Sequence, residues 1–192
     1  MILWTIQTLE VYDLIQKQGY YFCDPNHESS CIKTMQFEKQ YDWLVEKMKE
    51  KIGQPPLNIQ YPVWAWYTYN WKHKKPDLRC IGLGNKGSQC VCMEIEIPDE
   101  DIVLSDHNSW HYILNNWHHN YSKNEEEWDV INNWLDSLPN DERQKQIELS
   151  WNNIFNIDPI DNGWIIQGKY IQATFWKLSK TQIRKIQFFK AR

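Results

Sequence analysis

The chain has 192 residues, 42% of them hydrophobic and seven of them glycine, enough for one core and unlike disordered, collagen-like or linker sequences. Its 21 basic and 25 acidic side chains leave a net charge of −4, which excludes a uniformly basic nucleic-acid binder and confines any such contact to a local patch. Twelve tryptophans and ten tyrosines exceed what an ordinary core absorbs, so some are expected to line a cleft.

A single domain over residues 1–192 is expected. Residues 2–7 are β-branched and aromatic and read as a strand, after which Thr8 caps a helix closed by Gly19. Phe37, Tyr41, Leu44, Val45, Met48 and Ile52 recur at helical spacing until Gly53 and Pro55 stop them. Residues 61–71 alternate as a strand, with Trp64, Trp66 and Thr68 on one face and Val63, Ala65, Tyr67 and Tyr69 on the other. A basic loop follows at 72–79. Residues 89–97 alternate Val91, Met93, Ile95 and Ile97 against Cys90, Cys92, Glu94 and Glu96, predicting one buried face and one facing solvent or a cleft.

Further along, Ser105 or Asp106 caps a helix through Trp110, His111 and Leu114, and Trp128, Ile131, Leu135 and Leu138 mark the next one before Pro139. Ile147, Trp151, Ile154 and Phe155 predict another helix and residues 170–178 a strand, followed by a short turn or helix and the apolar pair Phe188 and Phe189. The five cysteines include no Cys-x-x-Cys, which suits a reduced, cytoplasmic setting. Met1 to Gln7 has no basic flank, and Glu10 and Asp13 interrupt the apolar run, so neither a targeting segment nor a membrane partner is expected.

Candidate chemistry is sparse. His107 and His111 have the i, i+4 spacing of a helical metal pair, but no third ligand is recognisable and no metal is expected. Glu94 and Glu96 read as a solvated face. Lys72, His73, Lys74, Lys75 and Arg79 beside Trp64, Trp66, Tyr67, Tyr69 and Trp71 combine phosphate attraction with ring stacking, so a nucleotide, a nucleic acid or a sugar fits. A solvated loop after a core strand fits equally well. Neither a phosphate-binding glycine loop nor a Gly-x-Ser-x-Gly elbow occurs.

Leu3-Trp4-Thr5-Ile6-Gln7, Tyr61-Pro62-Val63-Trp64-Ala65-Trp66-Tyr67, Lys75-Pro76-Asp77-Leu78-Arg79 and Ile171-Gln172-Ala173-Thr174-Phe175-Trp176 resemble, in this order, an uncharacterised bacterial family known only as a domain of unknown function. The layout also resembles the ADP-ribosyltransferase fold. Such enzymes open with a strand bearing a His or Arg for the NAD ribose, then a helix and a glycine. They close with a strand bearing the catalytic Glu, a short helix and a last strand, a layout that residues 171–178, 181–186 and 187–189 resemble.

That resemblance implies an α+β domain with a split, mainly antiparallel sheet, surrounding helices, and first and closing strands that pair or lie adjacent. It puts Thr5 in place of the His or Arg and Gln172 in place of the Glu, as the catalytic pair. Trp64, Trp66 and Tyr67 would stack on NAD or another nucleotide, and Lys75 and Arg79 would hold phosphate. A glutamate's charge stabilises the oxocarbenium-like transition state, whereas Gln172 is neutral, so the protein is expected to be catalytically degenerate or weak. The alternative is a non-catalytic module binding nucleic acid or a protein partner through the same surface.

Overall fold

Ile2, Trp4 and Ile6 favour extended backbone, and Ile2–Thr8 forms strand β1 of the computed structural model, which describes residues 1–25, 32 and 35–192. The Thr8 hydroxyl accepts from the Val11 amide to start α1 (Leu9–Gln18), and Gly19 ends it in the left-handed conformation at φ 85°. Next come β2 (Tyr20–Tyr21), α2 (Glu38–Ile52), β3 (Val63–Tyr69), β4 (Gln89–Glu96), β5 (Val103–Asp106) and α3 (His107–Leu114). Helices α4 (Glu125–Ser137) and α5 (Asn140–Ser150), hairpin β6 (Ile160–Asp161) and β7 (Ile166–Gln167), then β8 (Tyr170–Phe175), β9 (Leu178–Ser179) and β10 (Ile183–Lys190) complete an α+β fold.

Six strands make one antiparallel sheet in the order β10-β4-β1-β3-β8-β5. Its halves are unequally joined. β1 is in register with β4 from Ile2 opposite Glu96 to Thr8 opposite Cys90, and β3 with β8 from Val63 opposite Phe175 to Tyr69 opposite Tyr170. Between β1 and β3 the register among the described residues reduces to one pair, Trp4 opposite Trp66. The sheet is continuous there but pinched.

One face of the sheet, with Leu3, Ala65, Met93 and Ala173, is sealed by Val11 and Ile15 of α1. On the other face Val103 and Trp64 pack with Leu44 and Met48 of α2, Trp110 of α3, and Trp151. The apolar spacing within each helix is what turns these side chains inward.

Several expectations are corrected. β1 and β8 do not pair: β3 lies between them, because β8 and β1 each find their antiparallel partner in it. Residues 183–186 belong to β10, an edge strand on β4, and only Lys180–Gln182 forms a short helical turn. β8 stops at Phe175, and Leu178 pairs with β2 instead. The helix expected through Phe155 ends at Ser150, and Trp151–Phe155 continues as a tighter 3-10 turn. Cys90 and Cys92 are as buried as the Val91 face, so β4 is covered on both sides over that stretch. Cys80, Cys90 and Cys92 are free thiols, and Cys31 lies outside the described residues. Among the described residues no helix is long and apolar enough to cross a membrane.

Candidate functional site

At the pinch, a row of residues crosses one face of the sheet: Glu94, Trp4, Trp66, Gln172 and Ser105, each opposite the next. A register shift between Trp66 and Thr68 breaks the alternation of β3. Tyr69 therefore joins the Trp66 side, with ring centroids 5.4 Å apart, instead of the opposite face that strict alternation predicts. Tyr170, opposite Tyr69, completes the group at 5.1 Å from Tyr69 and 6.4 Å from Trp66.

Helix α3 supplies the polar member. Asp106 caps it by accepting from the Ser109 amide at 2.8 Å, which sets His107 in its first turn with its ring 5.0 Å from Trp66. His107 Nδ1 lies 3.1 Å from Gln172 Oε1. With Oε1 accepting, the ring proton sits on Nδ1, Nε2 is left as an acceptor, and the Gln172 Nε2 group is left as a donor. Burial pushes the His107 pKa down against the Gln172 hydrogen bond, which favours the neutral ring. A donor and an acceptor beside aromatic faces suit neighbouring hydroxyls on a ring.

The basic loop folds back over the same face. His73 donates from Nε2 to the Ile2 carbonyl at 2.8 Å, its ring 5.1 Å from Trp4 and 4.6 Å from Tyr67. Lys75 donates to Gln187 on β10. Lys75 and Gln187 stand in the wall of a cavity of about 580 Å³ that Tyr69, Tyr170, Lys74, Asp77 and Arg79 also line. Arg79 is not a free fork: its Nε and terminal nitrogen donate to the Asp77 carboxylate at 2.9 and 2.6 Å. These bonds hold the Asp77 carboxyl well below the usual range. Burial, with a Cys80 hydrogen bond, pushes Tyr69 up to about 12 and keeps its phenol protonated.

Trp66, Lys75, Arg79 and Gln172 thus gather on one side of the pinch, although Trp66 stands behind Tyr69 and Tyr170 and is not in the cavity wall, and Tyr67 packs against the α1-side core and reaches the group only through His73. Thr5 and Trp64 do not join them. Thr5 is fully buried on the α1 face, its hydroxyl donating to the Trp64 carbonyl at 2.9 Å and accepting from Gln7 at 2.8 Å. It cannot share a ribose with Gln172 across the sheet, and its chemistry is to bridge β1 and β3 where their backbones part. Trp64 packs against Trp110 at 5.4 Å and Tyr41 at 6.2 Å in the second core.

Tyr170 is the member that sequence reasoning missed; Tyr69 is among the expected stacking rings but on the face opposite Trp66, and His107 is expected only as half of a possible metal pair. Tyr170 lies two residues before Gln172 on a strand, so alternation alone puts it on the same face. Among the described residues no group of three metal-ligating side chains converges, and His107 and His111 meet ring to ring at 4.9 Å.

A family model described as Domain of unknown function (DUF3841) matches residues 2–184. The chain belongs to this family. No curated protein and no solved structure matches it. The DUF3841 match runs from β1 to the first two residues of β10 and so takes in the other five strands of the pinched sheet whole, with Trp66, Tyr69, His107, Tyr170 and Gln172.

Proposed function

We propose that this DUF3841 chain is an ADP-ribosyltransferase-like protein that binds a nucleotide, NAD first, over the pinch between β1 and β3. The observation that carries the reading is the Trp66, Gln172 and His107 constellation beside a basic cavity. Gln172 Nε2 and His107 Nε2 hold the ribose hydroxyls, Tyr69 and Tyr170 present ring faces, and Lys74 with Lys75 draws the phosphates. The chain order supports it too: β1, α1 and Gly19 open the fold, and β8, a short turn and β10 close it. Gln172 brings a hydrogen bond and no charge, so the site binds NAD far better than it cleaves it. This reading rests on resemblance in layout together with local chemistry, since a fold by itself does not fix an activity.

Calorimetric titration with NAD tests it. Saturable binding that weakens about fivefold or more in Tyr170→Ala, a loss of about 1 to 3 kcal/mol, is expected. Lys74→Ala, at an exposed position, should weaken NAD more than nicotinamide riboside. No saturation by NAD, or equal binding by all three proteins, overturns the reading. Steeply salt-dependent binding of single-stranded oligonucleotides without NAD binding overturns it in favour of a nucleic-acid module.

A further inference from the structure

We propose a second ligand site, for an uncharged sugar ring, in the pocket between α3, α4 and the β6–β7 hairpin. The pocket holds about 360 Å³, at the lower end of the roughly 300 to 1,000 Å³ of small-molecule sites. Two indoles from separate elements stand in its wall: Trp128 on α4 and Trp164 at the hairpin tip, each 47% exposed. Trp164 is fixed in place. Its amide donates to Asn162 Oδ1 at 3.0 Å, and its indole Nε1 donates to Ser122 Oγ at 3.2 Å. Ser122 in turn donates to Asn120 Oδ1 at 2.7 Å. An oriented aromatic surface outside any core is what ring stacking needs.

The polar groups narrow the ligand class. The wall includes Asn108 from α3, Asn120 and His119 from the segment before α4, and Gln167 from β7. It carries no Asp, Glu, Lys or Arg among the described residues, and burial pushes His119 down to about 4, so the ring is neutral at ordinary pH. A phosphate or carboxylate would be desolvated there without a counter-charge. Gln167 is buried with Nε2 donating to the Asp158 carbonyl at 2.9 Å, which fixes its amide orientation and leaves Oε1 without a partner. Amides reaching the pocket from three sides suit hydroxyls around the rim of a pyranose. A nucleotide would bring a phosphate for which this wall has no cation. The site shares no lining residue with the basic cavity, so it does not depend on the nucleotide reading.

Saturation-transfer NMR and calorimetry with glucose, galactose, mannose, N-acetylglucosamine and their short oligomers test the site, with glucuronate and uncharged nucleosides as comparators. At least one neutral series should bind saturably. Affinity should fall about tenfold or more in Trp164→Ala and again in Asn108→Ala, with the melting temperature of Asn108→Ala unchanged. Glucuronate should bind more weakly than glucose. The proposal is overturned if no neutral saccharide approaches saturation at about 10 mM, well above a millimolar dissociation constant. It is equally overturned if both variants bind like the parent, or if nucleosides occupy the pocket as tightly as any sugar.

Discussion

Trp4 on β1 stands opposite Trp66 on β3, and this pair is the one register contact through which the two halves of the sheet meet among the described residues. Trp4 is 7% exposed with its ring against His73 from the basic loop, so it joins the halves and seats the loop. Trp4→Ala should therefore lower unfolding free energy by about 3 to 5 kcal/mol, the usual cost of emptying a buried aromatic site. Urea unfolding measures it. A loss under about 1 kcal/mol, the range of surface changes, would mean that the pinch is held elsewhere.

Thr5 offers a sharper contrast between a ligand role and a structural one. Thr5→Val keeps the shape but removes the hydroxyl that donates to the Trp64 carbonyl and accepts from Gln7. The expected result is about 1 to 3 kcal/mol of lost stability from polar groups left unpaired, with NAD binding unchanged. Denaturation and NAD calorimetry on the same variant check both halves of the statement.

Gln172→Glu places a carboxylate within hydrogen-bond reach of His107. The His107 pKa, now pushed down mainly by burial, should rise by about one to three pH units. NMR titration of the ring protons reads this directly. An unchanged value would mean that the two side chains do not meet in solution.

Asp106 is fully buried and accepts from the Ser109 amide at 2.8 Å and the Gly168 amide at 2.7 Å, tying α3 to the start of β8. Asp106→Ala strands both donors and should cost about 3 kcal/mol or more, since charge-assisted bonds each contribute about 1.5 to 3 kcal/mol. Gly168 is the matching backbone element. At φ 81° an added Cβ would come within 2.9 Å of the Pro159 Cα, so Gly168→Ala should destabilise through both strain and contact. Thermal melts of the two variants test the tie.

Acid should loosen the helical side of the molecule through His119. Its pKa is about 4 in the folded protein against an ordinary 6.5, because burial disfavours the charged ring. The unfolded chain therefore takes up the proton first as pH falls below 6.5, and stability declines until the folded ring also protonates near 4. His119 alone should contribute a loss of about 2 kcal/mol between pH 7 and 5, at about 1.4 kcal/mol per pH unit. His107 and His118, also held down by burial, act with the same sign. Urea midpoints at the two pH values should differ less in His119→Gln than in the parent.

Local chemistry by itself determined the strand from Ile2, the Thr8 and Gly19 caps of α1, a cap for α3 at Ser105 or Asp106, and the gathering of a basic loop against aromatic residues. Each depends on side chains a few residues apart, so each is readable from order alone. The α+β class and the mainly antiparallel sheet come instead from the resemblance in layout to the ADP-ribosyltransferase fold.

Only the tertiary structure decided which faces meet. Thr5 and Gln172 look equivalent as strand positions, but sheet register puts one under α1 and the other beside His107, because a one-residue step along a strand reverses the side chain. The shift after Trp66 moved Tyr69 into the cluster against the alternation of its own sequence. The placement of β3 between β1 and β8, and the pairing of Arg79 with Asp77, follow from contacts between segments free to pair in several ways until the whole sheet and loop close together.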